Sequence, residues 1–220
     1  MAGLNHLRAQ TSVAVLTLAL TMVGISFASA QLSTNPKTII YFVRHGETAS
    51  HHGVRTLNAA GRERSEALAA LMKEVAVTHL FASHTMRTRE MLEPLAIEKG
   101  LTIVQLPKPG TMLDGHLVTE STATGAAAGP LLEALRRLPA GSRAVVAVNR
   151  ENAFAVMSGL GVQVVGTCRP NQNCVSCASA SCFPGNRDGD GDYDHLWTLS
   201  IDPSSGALPQ LSERQYGRHE

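Results

Sequence analysis

A surplus of either charge is what this chain of 220 residues lacks: 19 Lys and Arg stand against 18 Asp and Glu. A nucleic-acid binder normally carries a basic excess or patch, so composition argues against that class. Gly and Pro are dispersed rather than concentrated or periodic, and 44% of the residues are hydrophobic, which excludes a fibrous or disordered polymer. The chain shows no internal repeat and no interdomain linker. Cysteine is scarce, with four residues that all fall after residue 167. The length suits one well-buried domain, or at most two small ones.

The only long apolar run lies at the start. His6 and Arg8 precede Val13–Ile25, and the stretch closes on Ala28-Ser29-Ala30. A basic n-region, an apolar h-region and an A-x-A site in that order read as a signal peptide cleaved after Ala30. The alternative, a membrane anchor, is disfavoured because Thr17, Thr21 and Gly24 interrupt a core already shorter than a comfortable span. The expected mature domain is residues 31–220, with 18 basic and 18 acidic side chains once Arg8 is gone. It would be secreted or periplasmic, with no membrane span after cleavage.

Beyond residue 35, hydrophobic periodicity alternates between strands and helices. Residues 38–43 form a continuous β-branched and aromatic run, the pattern of a strand buried on both faces. A helix is predicted over about 58–75, with Ala67, Leu68, Leu71, Met72 and Val75 at helical spacing. Further expectations are a strand at 79–82, a helix at 85–99 stopped by Gly100, and a strand at 101–105. A turn at 107–110 precedes a helix opened by Gly129-Pro130 and running through Leu138. A strand at 143–148, a helix at 151–158 and a last strand at 195–201 complete the series. This order predicts an α/β fold, a three-layer α/β/α sandwich around a mostly parallel sheet.

Ligands of such sheets bind beyond the carboxyl ends of the strands. The first strand ends in Arg44-His45-Gly46-Glu47-Thr48, which offers an imidazole nucleophile beside a guanidinium suited to phosphoryl oxygens. The next ends in Ser83-His84-Thr85-Met86-Arg87-Thr88, a strand-to-helix junction where helix N–H groups and Arg87 favour an anion.

These segments resemble the histidine phosphatase superfamily (phosphoglycerate mutase-like). RHGET at 44–48 matches its signature. Leu57–Ala67 is similar to its Leu-Thr-x-x-Gly-x-x-Gln-Ala segment, Ser83–Thr88 to its Ser-x-x-x-Arg-Thr segment, and Tyr193–Trp197 to its closing strand. RHG alone is a weak signal, whereas RHGET with the second Arg block and the α/β order is strong. The resemblance implies a phosphomonoester hydrolase in which His45 forms a phosphohistidine that water hydrolyses. Arg44 and Arg87 clamp the phosphoryl oxygens, and no metal or organic cofactor takes part. Gly46, Thr48, Ser83, Arg150 and Asn152 are the expected substrate-binding positions. The general acid comes from the segment after the second Arg, with Asp114 the first choice and Glu120 and His116 behind it. The partner is a small phosphoester or phosphorylated ligand.

The sequence departs from the family at one position. After the strand at 144–148 the family carries a second His, and this chain reads Val148-Asn149-Arg150-Glu151-Asn152. Three readings remain open. Arg150 is a third phosphate clamp in a slow phosphatase, or the mark of a pseudoenzyme that binds an anionic ligand without turnover. In the third, the alignment slips and Arg150 is a solvated helix-start residue.

His51-His52 reads as a solvated loop pair, with a rim role as the alternative, and His84 as either a pocket residue or a helix-cap neighbour. Cys168, Cys174, Cys177 and Cys182 sit in an insert at about 162–192. Behind an export signal they read as two disulfides of undetermined connectivity, and a metal knot is the alternative. The alternating Asp and Gly of 188–194 resemble a calcium loop without its closing Glu, or form an acidic turn.

Overall fold

In the computed structural model, residues 36–106, 112–113, 116–117, 129–165, 174–176 and 193–217 are described; at 112–113, 116–117, 150–152, 154, 164–165 and 174–176 only the backbone is. All of them lie in one compact unit, Thr34–Glu220. The expected signal peptide, the turn at 107–110, Asp114, Glu120 and most of the cysteine insert fall outside the described residues.

In chain order the strands are β1 Thr38–Arg44, β2 Thr48–His51, β3 Val54–Leu57, β4 His79–Ala82, β5 Ile103–Gln105 and β6 Met112–Leu113. They continue as β7 His116–Leu117, β8 Arg143–Val148, β9 Gln163–Val165, β10 Cys174–Ser176, β11 His195–Ile201 and β12 Gln210–Gln215. The helices are α1 Ala59–Met72, α2 Met86–Glu90, α3 Glu93–Lys99, α4 Gly129–Arg136 and α5 Arg150–Gly159. Six strands make the central sheet in the order β12-β11-β1-β8-β4-β5. β1, β8, β4 and β5 run parallel, while β11 pairs antiparallel with both β1 and β12. Among the described residues no helix is long and apolar enough to cross a membrane.

Alternation along the central strands feeds two cores, one on each sheet face. Ile40, Phe42, Val146, Val148 and Trp197 pack with Leu131 and Leu135 of α4 and Val156 and Met157 of α5. Val43, Leu80, Val145 and Ala147 pack with Leu68 and Met72 of α1, Met91 and Leu92 after α2, and Leu95 of α3. The three-layer α/β/α sandwich expected from the sequence is therefore present, and the sheet is mostly parallel.

Several boundaries differ from expectation, each for a local reason. The helix expected at 85–99 is two helices, because Pro94 in the first turn of α3 has no N–H to give to the preceding turn. The break leaves carbonyls that Ser65 reaches: its Oγ donates to the oxygens of Glu90 at 3.1 Å and Met91 at 3.0 Å. α3 ends as expected on Gly100, in the left-handed region at φ 63°. α1 stops at Met72, three residues early, and its buried stripe is Gly61, Arg64, Ser65, Leu68, Ala69 and Met72. Arg64 and Ser65 belong to that inward face although they are polar.

Among the described residues, β2, β3, β6, β7, β9, β10 and β12 escaped the sequence reading. The polar stretch after His45 is a hairpin, β2 paired with β3, turned by His52 (φ 49°) and Gly53 (φ 81°). Positive φ at both turn residues is the tight two-residue geometry that matches strand twist. His51 and His52 are exposed at its tip. β12 is an edge strand whose residues are mostly exposed.

The close approach that positions the site is between backbones. A Cβ on Gly61 would lie 2.2 Å from the Glu47 carbonyl oxygen, and one on Gly46 would lie 2.8 Å from the Gly61 Cα. The Asn58 side chain caps α1 by accepting from the Gly61 N–H at 2.9 Å, and the Asn58 N–H donates to the Glu47 carbonyl at 2.9 Å. Neither backbone can swing aside without losing these bonds. Gly61→Ala is expected to cost about 3 kcal/mol by overpacking, which lowers the thermal midpoint by about 6–12 °C. Thermal unfolding followed by circular dichroism measures it; an unchanged midpoint would mean that the 46–47 loop moves away freely.

Candidate active site

The carboxyl ends of β1, β8 and β4 lie side by side, and each releases a segment singled out in the sequence. His45 follows β1, Asn149 follows β8 and Ser83 follows β4. The backbone ladder continues one step beyond the strands, with the His45 N–H donating to the Val148 carbonyl at 3.3 Å and the Ser83 N–H to that of Ala147 at 3.0 Å. Arg44, His45, Ser83 and Asn149 are all buried. Four polar residues buried along one sheet edge mark a built site, since burial without a partner is costly.

His45 is 6% exposed, and its Nδ1 lies 2.8 Å from the Gly46 carbonyl oxygen. A carbonyl can only accept, so Nδ1 carries the proton and Nε2 keeps its lone pair. Burial pushes the His45 pKa down to about 3, against the raising effect of the Gly46 hydrogen bond, and the positive fields of Arg87, Arg44 and Arg55 push it further in the same direction. The ring is therefore neutral at physiological pH, as an imidazole nucleophile must be.

Arg44 is as buried as His45, and its guanidinium carbon sits 4.1 Å from the centroid of the Tyr193 ring. The same ring is 5.8 Å from that of His45, tilted by 48°. Arg87, in α2, is half-buried. α2 has only five residues, so the long helix dipole expected behind the 83–88 segment is absent, and the charge on Arg87 carries that role.

Glu47 turns away from this cluster. Its two carboxylate oxygens take Arg64 Nε at 3.2 and 3.1 Å, and one also takes Nη2 at 2.5 Å. Burial raises the Glu47 pKa, but the Arg64 hydrogen bonds and charge outweigh it and hold it below the ordinary carboxylate value. The third guanidinium nitrogen of Arg64, Nη1, donates to the Tyr216 carbonyl at 3.3 Å.

The other sequence candidates distribute as follows. Gly46 is the close-packed link to Gly61 already described. Thr48 opens β2 and pairs with Leu57. Ser83 donates to Thr88 Oγ1 at 3.0 Å, and Thr88 Oγ1 donates to carbonyls of Ser83 and Thr85, so this pair shapes the loop leading to Arg87. Thr85 Oγ1 donates to Asn149 Oδ1 at 3.2 Å, which ties the loops after β4 and β8 together. Arg150 is the first residue of α5 and Asn152 lies in its first turn, at the strand edge beside β1. His116 falls in β7. Cys174 lies in β10; Cys168, Cys177, Cys182 and the Asp-Gly run up to 192 lie outside the described residues.

Sequence reasoning missed three participants: Tyr193, Arg55 and Asn149. Tyr193 is one of only three tyrosines, and an aromatic just before the closing strand is the signal that was available. Arg55 had none, because its approach to His45 depends on the unexpected hairpin.

The family model of the histidine phosphatase superfamily (branch 1) matches residues 40–108. No curated protein sequence matches the chain. Among solved structures, it is similar to a mycobacterial glucosyl-3-phosphoglycerate phosphatase at 13% identity and a TM-score of 0.52, covering 81% of this chain and 98% of that one. It is also similar to an Escherichia coli protein named as an alpha-ribazole-5'-P phosphatase, at 12% identity and a TM-score of 0.53, with 82% and 97% covered. At such identities these likenesses concern the fold.

The depressed pKa of His45 has a sign that can be tested. A histidine near 6.5 when unfolded and about 3 when folded contributes stability that is whole above pH 6.5 and is lost as pH falls towards 3. Between pH 6.5 and 4.5 the unfolding free energy of wild type should fall more steeply than that of His45→Gln, by a difference approaching about 1.4 kcal/mol per pH unit. Denaturant unfolding at four pH values measures this, and parallel curves would contradict the burial of a neutral ring.

Residues 40–108, which hold RHGET and the Arg87 segment, thus match the model of the histidine phosphatase superfamily, and over most of the chain the likeness to solved structures is one of fold.

Proposed function

We propose that this protein hydrolyses phosphomonoesters through a phosphohistidine on His45. The observation that carries the reading is a buried, neutral imidazole with its Nδ1 proton on the Gly46 carbonyl, surrounded by the charges of Arg44, Arg87 and Arg55. Nε2 attacks phosphorus as the bond to the leaving oxygen breaks. The imidazole becomes cationic, and the Gly46 carbonyl stabilises the Nδ1–H it already holds. The positive field that disfavours a proton on the free ring favours an incoming phosphoryl group, so the site discriminates between the two. Arg44 and Arg87 neutralise the phosphoryl oxygens, and a carboxylic acid from the segment after β5, Asp114 first, protonates the leaving oxygen. Water then attacks phosphorus, giving its proton to the carboxylate left by the first step, displaces Nε2 and releases phosphate. Export behind the cleaved residues 1–30 belongs to the same proposal, and mass spectrometry of the secreted product should find Gln31 at its amino terminus.

A second reading has its own observation. Arg150 opens α5 at the end of β8, beside β1, where the family resemblance expects a second His. A guanidinium binds phosphate well but does not titrate like an imidazole, so this site would hold a phosphorylated ligand with little turnover.

A phosphoester panel separates the two. In the first reading wild type releases phosphate, His45→Ala lowers kcat/KM at least about a thousandfold, and Arg87→Ala lowers it about 10²–10³-fold. In the second, wild type is nearly silent and Arg150→His gains activity. Phosphate release that survives His45→Ala would sink the phosphohistidine mechanism.

A further inference from the structure

Among the described residues, an aromatic ring borders the site on the β11 side. Tyr193 lies two residues before β11, and its ring covers the Arg44 guanidinium at 4.1 Å while meeting the His45 ring at 5.8 Å. A guanidinium stacked on an aromatic face keeps its N–H donors in its own plane, pointing outward from the stack. Carbonyl and ring thus meet the two neighbouring residues of the signature differently: the Gly46 carbonyl sets the imidazole tautomer, and the Tyr193 ring lies against the Arg44 guanidinium.

The backbone that carries Tyr193 is itself anchored to the signature. The Asp194 carbonyl accepts from the Tyr216 N–H at 2.8 Å. The Tyr216 carbonyl accepts from Arg64 Nη1 at 3.3 Å, and Arg64 is held on both oxygens of Glu47, two residues after His45. The Tyr216 side chain is buried in the core beneath α1. The contacts therefore run from Glu47 through α1, past the end of β12 to the turn before β11, and return through the Tyr193 ring to Arg44 and His45. A side chain placed by its own closed circuit is a different object from a loop aromatic that drifts against a surface.

We propose that Tyr193 is a positioning residue of this site: its ring fixes the guanidinium plane of Arg44 and walls the flank of His45, so that both meet a phosphoryl group in one geometry. This rests on the assignment of Arg44 and His45 to phosphate handling. It predicts that the π-face matters and the phenolic hydroxyl does not.

Tyr193→Leu removes the face while keeping apolar bulk, and Tyr193→Phe keeps the face. Orthovanadate serves as the probe, with affinity measured by calorimetry on the full mature chain and thermal midpoints recorded for each variant. Tyr193→Leu should bind it about tenfold more weakly and Tyr193→Phe within about twofold of wild type. The His45 ring, followed by NMR, should titrate closer to 6.5 in Tyr193→Leu, because a flank is opened to water, and remain depressed in Tyr193→Phe under the unchanged fields of Arg44, Arg55 and Arg87. Equal orthovanadate affinity in Tyr193→Leu and wild type, or an equal loss in the Phe and Leu variants, overturns the proposal. If wild type itself binds no orthovanadate and releases no phosphate, the phosphatase reading fails, and the His45 titration decides on Tyr193. A shift confined to the Leu variant supports the positioning contact, and no shift overturns it.

Discussion

The backbone of the Arg-His-Gly-Glu turn lies directly on the backbone of α1, and the site depends on that approach. Gly46 and Gly61 have no room for a Cβ between them. The Glu47 carbonyl accepts from Asn58, whose side chain caps the helix. The Glu47 carboxylate is gripped by Arg64 from the inward face of the same helix. Taking a carboxylate and a guanidinium out of water costs several kcal/mol per ion, and the multiple hydrogen bonds offset much of it. The return is geometric: the residue that follows β1 leaves the strand in one direction only.

That direction puts His45 where burial and three arginines act on it together. Low exposure strengthens every electrostatic interaction and penalises an unpaired charge in equal measure. The free site is accordingly a region of positive field around a neutral ring. An oxyanion would relieve that field. Loop placement reinforces the arrangement, since Thr85 and Asn149 tie the segments after β4 and β8, and Ser83 with Thr88 shape the approach to Arg87. Tyr193 lies against Arg44 and His45 on the β11 side.

Much of this was legible in the residues. β1 and β8 announce themselves as β-branched runs buried on both faces, and their register brings Arg44 opposite Val148. RHGET and the Arg87 segment marked His45 as the candidate nucleophile and Arg87 as a candidate clamp, because those residue types at strand ends suit phosphoryl chemistry. The less legible parts share a cause. Nothing local marked Arg64, since an apolar pattern cannot reveal that a polar residue is buried against a partner 17 positions away. The break between α2 and α3 turned on Pro94 and on carbonyls that Ser65 satisfies from another helix. The hairpin of β2 and β3 carried a turn signal in His52-Gly53, but its strands are short and mostly polar, so period-two alternation was too weak to read.

The sequence by itself determined the layer order, five of the six central strands and the chemical types at the strand ends, because these follow from local periodicity and from residues adjacent in the chain. Tertiary structure alone decided the protonation state of His45, the pairing of Glu47 with Arg64, and the arrival of Arg55 and Tyr193. Each of those depends on burial, or on fields and contacts between segments many residues apart. Neither quantity exists until the two faces of the sheet have been covered.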